Sequence, residues 1–140
     1  MKKESIYGEI TKSLWINSHI ISKQLDNSLG AIHGIGLTEY MVLLNLKKAP
    51  NHSLRRIDIA EALGRTASGI TRMLMPMEKI GLVEKEINKR DARVSLVKIT
   101  SVGLEIFNNA STTLESKSKH ILKNIDNNQT SNLLNLLNTI

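Results

Sequence analysis

The chain contains no cysteine, which excludes a disulfide framework, thiolate chemistry and any Cys-based zinc site. Aromatic residues are nearly as scarce: Tyr7, Trp15, Tyr40 and Phe107 are the complete set. Proteins that bind single strands or RNA stack bases on aromatics interleaved with cations. None of these four lies among the arginines, so duplex DNA is the better nucleic-acid candidate. No apolar run approaches the roughly 18–20 residues that cross a bilayer. The opening "MKKESIYGEITKS" has two lysines but no apolar segment or small-residue cleavage pattern after them. A soluble, cytoplasmic chain with no membrane partner is expected. No Gly-rich phosphate loop, nucleophile elbow or close carboxylate pair stands out, so an enzyme is not expected. The histidines (His19, His33, His52, His120) lack metal-ligand spacing, and each reads as a surface or packed side chain, so no metal site and no required cofactor are expected.

Arginine is missing from residues 1–54 and 94–140, and that absence turns attention to what lies between. All six arginines (Arg55, Arg56, Arg65, Arg72, Arg90, Arg93) fall in the interval. The chain of 140 residues carries a net charge of +6, enough to favour a polyanionic partner. Residues 54–98 hold most of that excess, with six Arg and four Lys against six acids. Lysine alone would serve solubility, whereas arginine reads phosphate and guanine through a planar fork. The competing reading is a solvated charged face.

Apolar residues recur at helical spacing from Ile6 to Leu29, and the segment ends in "LGAIHGIG". Thr38 is a candidate cap for a second helix, "EYMVLLNLKK", terminated by "APN". A short third helix, "RIDIAEAL", has Gly64 placed to end it. Thr66 can cap a fourth, "ASGITRMLMPMEKI", stopped by Gly81. Alternating segments at Val83–Ile87 and Arg93–Ile99 predict a β-hairpin. Ser101 is then placed to cap a long helix from Val102 to about Ile125. "DNNQTS" is read as a break, and "NLLNLLNTI" as a last amphipathic helix. The expected fold is mainly α with a small β-hairpin (α+β). Its divisions are an N-terminal dimerisation helix and linker at 1–36, a compact DNA-binding domain at 37–100, and C-terminal dimerisation helices at 101–140. Long apolar-striped helices outside a small domain predict a twofold partner; a monomer folding its own helices back into one bundle is the alternative.

"DIAEALGRTASGITRMLMPMEKIGLVEK" is two helices joined by a tight glycine turn, the signature of a helix-turn-helix. Ile70, Met73, Leu74, Met77 and Ile80 share a stripe expected to be buried. Thr66, Ser68, Gly69, Thr71 and Arg72 are the candidate DNA-binding residues of this recognition helix. Small residues leave room in a major groove, hydroxyls and the helix N-terminus bind phosphate, and Arg72 can bridge N7 and O6 of guanine. Met75 also lies off the stripe. Pro76 interrupts a helix interior, where proline generally costs about 3 kcal/mol, past the groove-facing end. The hairpin beyond this helix has the tip "NKRDAR", with more positive charge than a turn needs. It reads as a wing, lying along the backbone or entering the adjacent minor groove. Lys89, Arg90, Asp91 and Arg93 are its candidate residues: Arg93 or Arg90 to enter, Lys89 near phosphate, and Asp91 to hold an arginine.

"LGRTASGITRMLMPMEKIGLVEKE" followed by "NKRDARVSLVKITSVG" resembles the MarR family of winged helix-turn-helix transcriptional regulators. The resemblance rests on Thr71-Arg72, on "EKIGLV" leading into the first strand, on Asp91-x-Arg93 at the tip, and on "ITSVG" closing the second strand. "GLTEYMVLLNL" resembles the helix before the motif. The match runs from about residue 37 to 104. It implies a homodimer on a pseudo-palindromic operator, with Ser68, Thr71 and Arg72 in the recognition helix and Asp91 and Arg93 as the wing-tip pair. Met75 and Pro76 depart from the family, which more often has polar residues there. Some members bind metal, which keeps zinc as an alternative. The resemblance also implies an effector pocket between the two parts, for which Trp15, His19, His33 and Tyr40 are the candidate lining, with core packing as the competing reading of each. The resulting expectation is a homodimeric, duplex-DNA-binding regulator, in the repressor sense, open to a small-molecule effector. The runner-up is a winged-helix module binding an acidic protein partner.

Overall fold

The computed structural model describes residue 3 and residues 5–140. Met1, Lys2 and Glu4, part of the opening segment considered for a leader, lie outside the described residues. The element order is α1 (Ile6–His33), α2 (Leu37–Lys48), a single 3-10 turn (Pro50–His52), β1 (Ser53–Arg55), α3 (Arg56–Ala62), α4 (Ala67–Lys79), β2 (Val83–Ile87), β3 (Ser95–Ile99), α5 (Ser101–Ile121) and α6 (Asn127–Leu137).

Helix α1 runs one turn further than the sequence predicts. It passes through Gly30 and ends where Gly34 turns left-handed. A glycine inside a helix costs only about 0.5–1 kcal/mol, and two tertiary contacts outweigh that. Leu29 is fully buried, and His33 Nε2 lies 2.7 Å from Thr113 Oγ1 on α5. Helix α2 is capped from outside its own sequence. Its N-cap is Gly36 rather than Thr38, and that residue offers no side-chain acceptor. Instead the Asp26 carboxylate of α1 accepts the Leu37 N–H at 2.6 Å, which ties the long helix to the central domain.

The sheet has three antiparallel strands in the order β1-β3-β2. Strand β1 escapes a sequence reading, because three residues carry no periodicity. It pairs Leu54 with Val97 along the free edge of β3. Val97 and Ile99 point into the core, as alternation predicts, while Leu96 and Lys98 are half-buried on the other face. The core is one cluster, with Leu29, Leu43, Ile59, Ile70, Met77 and Phe107 among its members, so every helix from α1 to α5 contributes to it.

Helix α5 starts one residue earlier than expected. Thr100, not Ser101, is its cap, and its hydroxyl accepts the Gly103 N–H at 3.0 Å. The same hydroxyl donates to the Gly81 carbonyl. Gly103 is required by close approach, since a Cβ there would collide with the Leu82 carbonyl. These contacts bolt the wing's base to α5. The helix also ends sooner, at Ile121. "DNNQTS" does not break a helix but starts one: Asp126 and Gln129 form a reciprocal capping box for α6.

Candidate nucleic-acid interface

The turn between α3 and α4 depends on Gly64, whose φ of 61° places it in the region that side chains avoid. Thr66 then caps α4, accepting the Gly69 N–H at 3.1 Å. A Cβ on Gly69 would sit 3.1 Å from that same hydroxyl, tighter than an ordinary contact. Thr66 and Gly69 therefore build the helix start and set the positions of Thr71 and Arg72.

Ile70, Leu74 and Met77 are buried along one side of α4. Met73 is partly buried against them. Ile80 departs from the expected stripe: it lies just past the last helical turn and is 60% exposed. The opposite side presents Ser68 and Arg72, with Thr71 half-buried beside them. Thr71 donates its hydroxyl proton to the Ala67 carbonyl at 3.0 Å, so it faces outward as an acceptor and a methyl. No acidic residue lies in the first turn of α4. Beyond the Gly69 N–H that Thr66 accepts, the positive dipole end is met by no negative charge, the condition that suits phosphate.

The wing tip is held by its own short side chains. Asn88 donates its N–H to the Val94 carbonyl, closing the loop, and the Asn88 side chain accepts the Arg90 N–H at 2.9 Å. Asp91 Oδ1 accepts from both the Arg93 backbone at 3.0 Å and its Nε at 3.2 Å. The Arg93 side chain is 92% exposed. Asp91 thus aims a guanidinium that is otherwise in solvent. Behind the tip, Asn51, Ser53, Glu86 and Lys98 line a polar cleft of about 490 Å³ against the sheet's outer face.

The arginines divide by what holds them. Arg55 makes a two-point pair with Asp58 at 3.0 and 3.1 Å. That hydrogen bond holds the Asp58 carboxyl below its ordinary value and raises the Arg55 guanidinium. Arg65 reaches the Thr38 hydroxyl at 3.4 Å, steadying the motif's turn on α2, while Arg56 is half-buried. The side chains of Arg72, Lys89 and Arg90 are exposed and unpaired among the described residues. Confinement in sequence found the region, but only the structure separates scaffold arginines from free ones.

The four residues read as an effector pocket do not share one site in a single chain. Trp15 and His19 lie one turn apart with their rings tilted at 44° and the centroids 4.4 Å from each other. Trp15 and His33 stand about 27 Å apart along the one unbroken α1, at 1.5 Å per residue. His33 and Tyr40 instead engage α5: Tyr40 is buried, stacks on Phe107 at 4.9 Å between centroids, and bonds Ser111 at 2.8 Å. Nearness in a linear reading does not survive a straight helix. Among the described residues no group of three His, Asp or Glu side chains is placed to hold a metal. No single helix among them is long and apolar enough to cross a membrane.

Residues 35–95 match the family model described as MarR family. The transcriptional repressor MprA of Escherichia coli K12 is 32% identical over 89 residues, covering 62% of this chain and 51% of that protein. The chain spans about half the length of the curated relatives it matches. Among solved structures, Sco3205 of Streptomyces coelicolor in complex with DNA superposes with a TM-score of 0.85 at 18% identity, over 99% of this chain and 88% of that one. A mutant MarR from E. coli complexed with operator DNA gives 0.83 at 21% identity, over 97% and 98%. The region of sequence similarity is the one that builds the helix-turn-helix and wing, and the fold likeness extends across both long terminal portions. Over residues 35–95 the chain is similar to the MarR family, and as a whole it has the winged helix-turn-helix fold of these solved structures.

Proposed function

We propose that the chain is a sequence-specific, duplex-DNA-binding transcriptional regulator, acting as a homodimer on a pseudo-palindromic operator, in the repressor sense and in the cytoplasm. The observation that carries this reading is the pairing of two unneutralised elements. The exposed side of α4 has an N-terminus met by no negative charge and a free Arg72. The wing beyond it has free Lys89 and Arg90 and an Arg93 oriented by Asp91. A helix for the major groove with cations for the backbone or minor groove beside it is the arrangement that duplex DNA selects. Structural neighbours solved with DNA support the same reading, as does the name of MprA for repression.

Dimerisation is supported by surface that one chain cannot cover. Every residue from Ile6 to Ile20 is exposed, among them Ile6, Ile10, Leu14, Trp15, Ile16 and Ile20. A helix apolar on most sides is ordinarily buried on most sides. The reading requires no cofactor, and an effector would have to choose between the Trp15–His19 pair and the separate region where His33 and Tyr40 meet α5.

Selection of bound sequences from a random duplex pool tests the proposal. An enriched inverted repeat, with log K falling steeply against log salt, is expected, because each phosphate contact releases a counterion. Absence of enrichment, with salt-sensitive capture by an acidic protein instead, would overturn it in favour of a protein-interaction module.

A further inference from the structure

Met75 is 65% exposed on the recognition helix. Between Arg65 and Pro76 it is the one large hydrophobic side chain left in solvent. An isolated exposed hydrophobic residue is ordinary on a protein surface; the position of this one is not. Ser68, Thr71, Arg72 and Met75 stand at i, i+3, i+4 and i+7, so they lie on one side of α4, opposite the buried Ile70, Leu74 and Met77. Met75 therefore occupies the middle of the polar, cationic side, two turns along from Ser68. It does not sit at the margin of the core. The next residue, Pro76, is also exposed. Having no N–H, it leaves the Arg72 carbonyl without its helical donor, and its ring extends the apolar surface beside Met75.

A major groove presents one apolar group on base edges, the C5-methyl of thymine. Methionine suits that target: it is unbranched, polarisable and carries only a weak acceptor, the thioether sulfur, which costs little when left unpaired against a base. Cytosine and adenine offer donors and guanine offers acceptors that a thioether cannot pair well, so an apolar probe discriminates against them. Resting on the DNA-binding reading, we infer that Met75 is a specificity-determining residue that packs on a thymine methyl, one per half-site. Arg72, one turn nearer the helix start, reads its neighbourhood by hydrogen bonds, while Met75 reads by shape and burial. Two turns of helix span about 10.5 Å, so the thymine lies some three base pairs from whatever Ser68 approaches.

Deoxyuridine scanning tests this on the operator that the selection returns. Each thymine is replaced singly by deoxyuridine, which deletes only the methyl, and binding is measured for the wild type, Met75→Ala and Met75→Leu. For the wild type, one position per half-site should lose about fourfold in affinity, the equivalent of one buried methyl at ~0.8 kcal/mol. At that position Met75→Ala should be indifferent to the substitution, and Met75→Leu should keep most of the sensitivity. Because the side chain is exposed, all three proteins should melt alike. Identical scanning profiles for wild type and Met75→Ala overturn this inference while the DNA reading stands. Failure to enrich any duplex overturns both.

Discussion

Arg72 and Glu39 show how differently two charged side chains of this small domain contribute. Arg72 stands free on α4, with nothing among the described residues to engage its guanidinium, so its removal should leave the fold intact. Arg72→Ala should cost roughly 1–3 kcal/mol of specific binding and relax preference at one position per half-site, as a bidentate guanine contact requires. Binding titrations over operators varied at each position check this; uniform weakening on every sequence would reduce Arg72 to a phosphate contact. Glu39, in the first turn of α2, is held above its ordinary carboxyl value of 4.5, chiefly by burial and further by the nearby Asp26, against a lowering hydrogen bond to the Gly36 backbone. A carboxyl whose folded pKa is raised binds its proton more tightly in the fold. Its stabilisation is complete below about 4.5 and is lost as pH rises through the folded value. Glu39→Gln keeps an acceptor for Gly36 and removes the titration. The variant should therefore melt higher than the wild type at neutral pH, with the gap closing toward pH 4, where both side chains are neutral. A melting-temperature series across that range decides the point; a gap that widens on acidification would contradict the assigned direction.

At the scale of elements, the legible part of the sequence is what the chain decides locally. Thr66 caps its own helix, Gly64 forms its own turn, and Val97 and Ile99 alternate into the core because period two is written beside them. The elements missed are those fixed from a distance. Asp26 caps α2 from eleven residues upstream, β1 exists only because β3 offers an edge, and α1 continues past Gly30 because α5 holds its last turn. The start of α6 is legible in principle, since Asp126-x-x-Gln129 is a capping box, but the run of Asn beside it reads more readily as a break. Among the candidate site residues, Thr66 builds the helix start as its capping position predicts, and the structure adds Gly69 as the residue whose N–H it accepts. The wing shows the same division in a testable form. Arg93 and Asp91 form an exposed pair, and such pairs contribute little to stability, typically about 0–1 kcal/mol. Arg93→Ala should thus leave melting unchanged and weaken DNA binding, most where flanking sequence is A·T-rich and the minor groove narrow. Arg93→Lys should recover only part, because an ammonium is more strongly hydrated than a guanidinium. Asp91→Asn retains the acceptor that closes the turn and loses the charge, so it should show a milder form of the same defect. Titration against operators with A·T-rich and G·C-rich flanks decides; equal losses on both mean that Arg93 reads no groove shape, and tighter binding by Asp91→Asn means that the acid repels DNA.

For the whole molecule, the decisive observation is how little of its two ends a single chain buries. No residue of α6 is buried, and α1 has none before Leu25. Between them runs an apolar groove of about 390 Å³, lined by Ile10, Leu14 and Ile21 of α1, with Leu122 and Ile125 from the α5 end and Leu133 and Leu137 of α6. Conformational entropy argues against two long helices holding this shape for no gain, and a second copy offers the matching surface by symmetry. Leu133 and Leu137 are 37% and 42% exposed in one chain, so a charge at either avoids the central core and burdens only the groove and whatever covers it. Leu133→Glu or Leu137→Glu should therefore give a folded monomer by light scattering, with the far-ultraviolet helical signal largely kept. On the homodimer reading each monomer would engage one half-site, so affinity for the full inverted repeat should collapse toward that for an isolated half-site, since two recognition helices set one helical turn apart no longer act together. A soluble monomer that binds the full repeat with wild-type affinity would refute the homodimer reading, and a variant that stays dimeric would place the interface elsewhere than this groove.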